Sequence, residues 1–335
     1  VNSKDPSVLD PDLMPLNRSR LERRTPERDR ADQRPASRLT LVLLNGRMPV
    51  AGGRLVLVER AALGEFREVP GLPEVYLGEL SNGSADGVTV RPFTEVSDQD
   101  ARTAVRLVER VHAAGSTAAE PIEWSTLRAI APALGASEPE HAALAVTAQA
   151  VTSWHVDHPR CPRCGDVTDV ERSGWMRRCR ADGSMHFPRT DPAVIVSITD
   201  GHPDPSRERI LLGQSAAWSG NRFSTLAGFV EPGESIEQAV VREIEEESGL
   251  VVGRVRYLGS QPWPFPRSLM IGCTARMEGG ALRPDGEEIL QLRWFTREQL
   301  RTAALEDEIV LPGKVSIARA LIEHWLGEPL PESGW

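Results

Sequence analysis

At 335 residues the chain has room for two domains of about 100–200 residues each, and its composition, 40% hydrophobic and 26% charged, is that of a folded globular protein. A net charge of −9 argues against tight non-specific binding to a nucleic-acid backbone, which rests on clustered Lys and Arg, while leaving room for a local basic patch around an anionic substrate. No apolar run reaches the roughly 18–20 residues that span a bilayer, no signal segment opens the chain, and four cysteines, three of them clustered, suit a metal site in a reducing compartment, so the expected setting is the cytoplasm without a membrane partner.

Residues 1–36 mix both charge signs with several prolines and little periodic apolar content. They read as a flexible or loosely docked arm, with a short piece at 13–21 as a candidate to pack on the next domain. Strands are expected at 39–44 and 54–58 with a turn signal at Asn45-Gly46, then at 74–80 and 88–92. Helical spacing follows at 101–114 and 137–156, where Ala142, Leu144, Ala145, Ala148 and Val151 recur at three or four. This makes a smaller, mixed α/β N-terminal domain over 37–157 with no catalytic constellation. A compact Cys-, Arg- and Gly-containing segment spans 158–190. From 191 to 330 strands and helices alternate: strands at 193–199 and 209–214, the segment 228–250, strands at 252–261, 268–277 and 290–295, and a closing helix at 314–326. No repeat of fixed period is present.

The chemistry lies in the stretch from Gly228 to Leu250, GFVEPGESIEQAVVREIEEESGL. Gly228, Pro232 and Gly233 make a loop, Ser235 is placed to cap a helix, and Gly249 is its natural stop. At about 3.6 residues per turn, Glu243, Glu246 and Glu247 share one face, with Ile236, Ala239 and Val240 on nearly the same face one or two turns earlier. The inward side thus starts apolar and turns acidic. Three adjoining carboxylates repel one another and are costly to desolvate unless a cation neutralises them. An all-oxygen donor set selects a hard ion such as Mg2+ or Mn2+. Glu245 points away toward solvent.

This stretch fits G-x5-E-x7-R-E-U-x-E-E-x-G-U at every specified position, U being a bulky aliphatic, and resembles the Nudix box. The resemblance implies an α+β, αβα fold: a Nudix mixed sheet sandwiched by helices. It also implies a reaction at a pyrophosphate bond. By it, Glu243, Glu246 and Glu247 bind the catalytic ions, and the carbonyl of Ala227 is a further ligand. Arg242 pairs with Glu234 and holds the loop that begins at Gly228 against the helix that ends at Gly249. An acid outside the box completes the set, Glu288 as the candidate and Glu287 as its rival.

A second run, Ser260-Gln261-Pro262-Trp263-Pro264-Phe265-Pro266-Arg267-Ser268, resembles the SQPWPFPxS signature of NADH pyrophosphatases. Its prolines stiffen the chain and remove backbone donors, and Trp263 and Phe265 offer flat faces for a nucleobase or nicotinamide. By resemblance, Phe229 and Trp263 contact the nicotinamide side, Gln261, Phe265 and Ser268 belong to the substrate loop, and Phe187 and Ala318 to the pocket wall. That family carries a zinc ribbon of two Cys-x-x-Cys pairs. Cys161-Pro162-Arg163-Cys164 has this spacing, whereas Cys179 meets Asp182 three residues on. A Zn2+ site of Cys161, Cys164, Cys179 and Asp182 is the first expectation, with His186 or a water as alternatives to Asp182. Cys273, in an apolar strand, reads as core.

The implied reaction is hydrolysis of NAD(H) to NMN(H) and AMP, with Glu246 or Glu247 as proton acceptor. NAD-capped RNA presents the same bond, and Arg160, Arg163, Arg177, Arg178 and Arg180 near the ribbon are candidates for a local basic track. A homodimer whose pocket draws on both subunits is also implied. Competing readings are an ADP-ribose or diadenosine-polyphosphate hydrolase, a non-catalytic nucleotide-sensing module, and a zinc-ribbon nucleic-acid adaptor. The intact box glutamates count against the second and the acidic balance against the third.

Overall fold

The computed structural model describes residues 8–9, 14, 16, 21–29, 37–63, 72–80, 87–94, 97–115 and 120–331. Most of the arm expected at 1–36 lies outside these residues. The chain divides into two compact units, one within Arg18–Arg189 and one within Thr190–Trp335 joined by described residues that precede Asn17.

In the first unit, α1 (Thr25–Arg28) precedes β1 (Ser37–Leu44) and β2 (Arg47–Ala51). Asn45 and Gly46, at φ 46° and 73°, form the two-residue hairpin between these strands, with Leu44 opposite Arg47. There follow β3 (Arg54–Leu55), β4 (Leu57–Glu59), β5 (Val75–Glu79), β6 (Gly87–Phe93), α2 (Asp98–Gly115), β7 (Glu123–Thr126), α3 (Leu127–Ser137) and α4 (Pro139–Asp157). The sheet runs β3-β2-β1-β6-β5, with β4 on β1 and β7 on β2. Strand β2 carries Pro49 and helix α3 carries Pro132, so residue signals did not anticipate either element.

The cysteine segment forms β8 (Thr168–Glu171), β9 (Met176–Cys179) and β10 (Met185–His186), in sheet order β10-β9-β8. It packs as part of this unit. Arg177 on β9 is buried, donating from Nη1 to Nδ1 of the buried His155 on α4 at 2.8 Å and from Nε to Thr168 Oγ1 at 2.7 Å. A guanidinium only donates, so Nδ1 of His155 accepts and its Nε2–H donates to Gly174 O at 2.8 Å. Burial first, then the Arg177 charge, hold His155 down at about 4, against the Gly174 hydrogen bond. Trp175 Nε1 donates to Tyr76 O on β5 at 2.7 Å.

The second unit contains β11 (Asp191–Thr199), β12 (Arg209–Ser215), β13 (Leu226–Phe229), α5 (Ile236–Ser248), β14 (Leu250–Trp263), β15 (Ser268–Gly280), β16 (Ile289–Thr296), α6 (Arg297–Leu305) and α7 (Ile317–Leu326). Its mixed sheet runs β14-β15-β11-β12-β16, with β13 on β11 and β11 parallel to β15. Strand alternation splits β11 between two cores. Val194, Val196 and Ile198 pack with Ala239, Val240 and Ile244 of α5, whereas Ile195 packs with Ile317, Ala318 and Leu321 of α7. Helices therefore cover both faces of the sheet. Leu9 and Met14 join the α7 side, and the Leu9 amide donates to Leu258 O at 2.8 Å. This part of the N-terminal stretch belongs to the core of the second unit.

Candidate active site

Helix α5 begins in a reciprocal capping box: the Gln238 amide donates to Ser235 Oγ at 3.2 Å and the Ser235 amide to Gln238 Oε1 at 2.8 Å. It ends at Gly249, φ 69°, where a Cβ would meet the Ala281 carbonyl at 2.7 Å, so the stop requires glycine. Along its inner face, buried Ala239, Val240 and Ile244 give way to carboxylates. Glu247 is 6% exposed and the Glu243 side chain 15%, while the Glu246 side chain, 63% exposed, stands at the rim. A groove of about 760 Å³ follows a different side of α5, lined by Glu237, Val241 and Glu245 and reaching Arg242 and Glu246, with neither Glu243 nor Glu247 in its wall. A Cβ on Gly228 would collide with the Glu243 carboxylate, so the glycine that opens the box is the space in which that carboxylate lies.

Burial pushes the Glu247 carboxyl up to about 8, reinforced by the charges of Glu243, Glu288 and Asp285 and opposed by a backbone hydrogen bond at Ala227. Burial also raises Glu243, against Arg242 and with Glu246 and Glu288. Glu247 Oε2 is buried without a hydrogen-bond partner. An orphaned carboxylate oxygen facing two further carboxylates is the environment a divalent cation relieves, and the donor set is all oxygen.

Arg242 fastens the loop to the helix. Its guanidinium donates in parallel to Glu234 (Nε–Oε1 2.6 Å, Nη2–Oε2 2.9 Å) and to the Phe229 carbonyl at 2.9 Å, and reaches Glu243 at 3.0 Å and Glu246 at 3.1 Å. This fork, with the Glu231 amide, holds the Glu234 carboxyl down at about 2 and raises the Arg242 pKa.

The carboxylate of the 286–290 run that acts on both Glu243 and Glu247 is Glu288. Its backbone is fixed from two sides: the Ala216 amide donates to Glu288 O at 2.8 Å, and Asp285 Oδ1 accepts the amides of Glu287, Glu288 and Ile289 at 3.1, 3.2 and 2.8 Å.

The aromatic signature forms the turn between β14 and β15, with Trp263 opposite Ser268. The Trp263 and Phe265 rings meet edge to face at 5.1 Å, and Arg267 Nε bonds Asp191 Oδ2 at 3.0 Å. Phe229, at the end of β13, is 56% exposed. Gln261 lies elsewhere than an open pocket: it is fully buried, donating to Val315 O at 2.7 Å and accepting the Ile317 amide at 2.8 Å. Ala318 is buried in the α7 core, Ser268 is buried, and Phe187, 49% exposed, belongs to the first unit with Arg172 over its ring at 5.9 Å.

The ribbon brings Cys161, Cys164, Cys179 and Asp182 together, with one ligand atom from each within 4.8 Å of all the others. Among the described residues this is the one such group, and the α5 carboxylates with Glu288 form a looser set. The two knuckles share one design. Gly165 and Gly183, at φ 77° and 71°, donate their amides to the carbonyls of Cys161 and Cys179 at 2.9 and 3.1 Å. The Arg163 amide points to Cys161 Sγ at 3.4 Å and the Asp182 amide to Cys179 Sγ at 3.5 Å. Asp182 thus occupies the place in its knuckle that Cys164 holds in the other. Two hydrogen bonds from Ser184 hold its carboxyl down at about 2, so it is charged. His186 reaches Ser184 Oγ at 3.1 Å. Three thiols and a carboxylate fit Zn2+.

Comparison with known proteins places both segments. The profile of the NUDIX domain matches residues 189–313 and that of the NADH pyrophosphatase zinc ribbon domain residues 157–187. NAD-capped RNA hydrolase NudC of Mycobacterium bovis is 36% identical over 305 residues, 87% of this chain and 86% of that protein. The chain belongs to the NADH pyrophosphatase family of Nudix hydrolases. Human NAD-capped RNA hydrolase NUDT12 is 41% identical over 206 residues, and the aligned part of this Nudix chain spans 44% of its length. A solved Nudix hydrolase from Nitrosomonas europaea aligns over 51% of the chain with a TM-score of 0.39 and 19% identity, too partial a likeness to bear on function.

Two residues, one beside the box carboxylates and one in the ribbon, escaped sequence reasoning. Asp285 gave a signal in Asp285-Gly286, a turn pair directly before the acidic run. Ser184, which holds Asp182, gave none beyond its place after the knuckle glycine.

Proposed function

We propose that this chain hydrolyses the pyrophosphate bond of NAD(H) to NMN(H) and AMP, and the same bond in the NAD cap of RNA 5′ ends. The observation that carries the reading is the buried, unpartnered Glu247 carboxylate set against Glu243 and Glu288 behind the Arg242–Glu234 clasp. Glu243, Glu247, Glu288 and the Ala227 backbone would hold Mg2+ or Mn2+. Such an ion, when bound, neutralises the diphosphate and lowers the pKa of a water. Glu246, at the solvent-reached rim, takes the proton from the attacking water. Phe229 and Trp263 provide flat surface for the nicotinamide side, and Gln261 keeps its loop against α7. Cys161, Cys164, Cys179 and Asp182 hold structural Zn2+, and cysteines outside any disulfide suit a reducing compartment such as the cytoplasm. A homodimer is proposed by family resemblance.

The test is product analysis of the purified chain with NADH and Mg2+ or Mn2+, beside Glu247→Gln. Metal-dependent NMNH and AMP, absent from the variant, are expected. Cleavage of ADP-ribose or a diadenosine polyphosphate with NADH untouched would remove the substrate assignment and keep the pyrophosphatase.

A further inference from the structure

We propose that Asp285 is a positioning residue for the reaction: its carboxylate folds the turn that delivers Glu288 to Glu243 and Glu247. The inference rests on the reading of Glu288 as a metal ligand. One oxygen of Asp285 gathers three successive amides, those of Glu287, Glu288 and Ile289 at 3.1, 3.2 and 2.8 Å, and its other oxygen receives Glu288 N–H at 3.3 Å. Gly286, φ 79°, closes the same turn by donating to Ile289 O at 3.1 Å. Beyond it, Ile289 is buried in the α5 core and sits opposite Ser215 of β12, and the Ala216 amide takes the Glu288 carbonyl. The Glu288 backbone is therefore pinned by Asp285 on one side and by the sheet on the other, while its side chain stays exposed and its charge acts on Glu243 and Glu247.

The physical case is pre-organisation. A ligand on an exposed turn loses backbone freedom when it engages an ion. A carboxylate that already holds three amides removes part of that cost before the ion arrives. Partners that orient a ligand from behind typically change metal affinity about ten- to hundred-fold when removed. The amides need an acceptor oxygen and not a charge, so asparagine serves in this role and alanine does not.

The experiment is Mn2+ binding to the full chain, read as free Mn2+ by electron paramagnetic resonance, for Asp285→Ala, Asp285→Asn, Glu288→Gln and the Asp285→Ala/Glu288→Gln double variant, with thermal melting of each without Mn2+. The expected result is affinity lowered about ten-fold or more by Asp285→Ala, close to wild type in Asp285→Asn, and no lower in the double variant than in Glu288→Gln alone. Unchanged affinity in Asp285→Ala while Glu288→Gln weakens binding would overturn the positioning role. So would equal losses in Asp285→Asn and Asp285→Ala, which would make Asp285 a ligand in its own right. Asp285→Asn keeps the question answerable if the alanine variant fails to fold. A silent Glu288→Gln would instead overturn the ligand reading, and the positioning role with it.

Discussion

At Glu247 the folded chain holds a carboxyl near 8 where an exposed glutamate sits near 4.5. Without a cation, the folded state therefore binds a proton over a range of pH in which the unfolded chain has released it. The sign follows: this group's contribution is intact below about pH 4.5 and is lost progressively as pH rises to about 8. At about 1.36 kcal/mol per unit of pKa, the loss is on the order of a few kcal/mol. Glu247→Gln removes it. The variant is expected to melt higher than the metal-free wild type at pH 8, with the difference shrinking toward pH 5, while metal-dependent hydrolysis disappears. An unchanged or lower melting temperature at pH 8 would show that this carboxyl is not under strain. Arg242 poses the complementary case, because its planar fork serves Glu234 and the Phe229 carbonyl at once. A lysine keeps the charge and cannot reproduce the fork. Arg242→Lys is expected to lower kcat roughly ten- to hundred-fold through misplacement of the loop that begins at Gly228. Near wild-type kcat would mean that charge alone holds it.

The ribbon shows how an element places a residue whose role its type alone leaves open. Sequence spacing offered Asp182, His186 or a water as the fourth partner. The paired knuckles, each with a left-handed glycine and an amide aimed at a sulfur, put Asp182 where the first knuckle has Cys164. A carboxylate is a harder donor than a thiolate and holds zinc less firmly beside three sulfurs. Asp182→Cys is therefore expected to slow zinc release to a chromogenic chelator by about ten-fold, and Asp182→Ala to speed it or lower the zinc content. Zinc content and release rate unchanged in Asp182→Ala, with loss in His186→Ala, would hand the fourth position to the histidine.

Over the whole molecule, what was legible is what is local. The capped helix, its glycine stop and the inward Glu243 and Glu247 all follow from spacing within 23 residues, as does the Cys-x-x-Cys knuckle. What was hidden depends on partners far along the chain. Gln261 sits in an aromatic signature that suggests substrate, yet its amide is occupied by Val315 and Ile317, 54 and 56 residues on. Glu288 is separated from Glu287 by the register of β16 on β12 and by the Asp285 turn. Leu9 and Met14 lie in a stretch that reads as an arm and complete a core whose other members begin at Ile195. The ribbon arginines make the same point about charge. Arg177 is buried against His155, Arg178 pairs with Glu171 at 2.9 Å, and Arg180 with Asp169 at 2.5 Å. Arg160 and Arg163 remain the more open pair, Arg163 lying 3.8 Å from Asp182. With a net charge of −9, little of the ribbon is left to track an RNA backbone. Each phosphate contact to a single strand contributes about −0.7 to the slope of log affinity against log salt, so two contacts give about −1.4. The expected outcome for NAD-capped RNA is thus a slope of log(kcat/KM) no more than about 1.5 units steeper than that for NADH. A difference of about 3 or more would place a basic track elsewhere on the molecule.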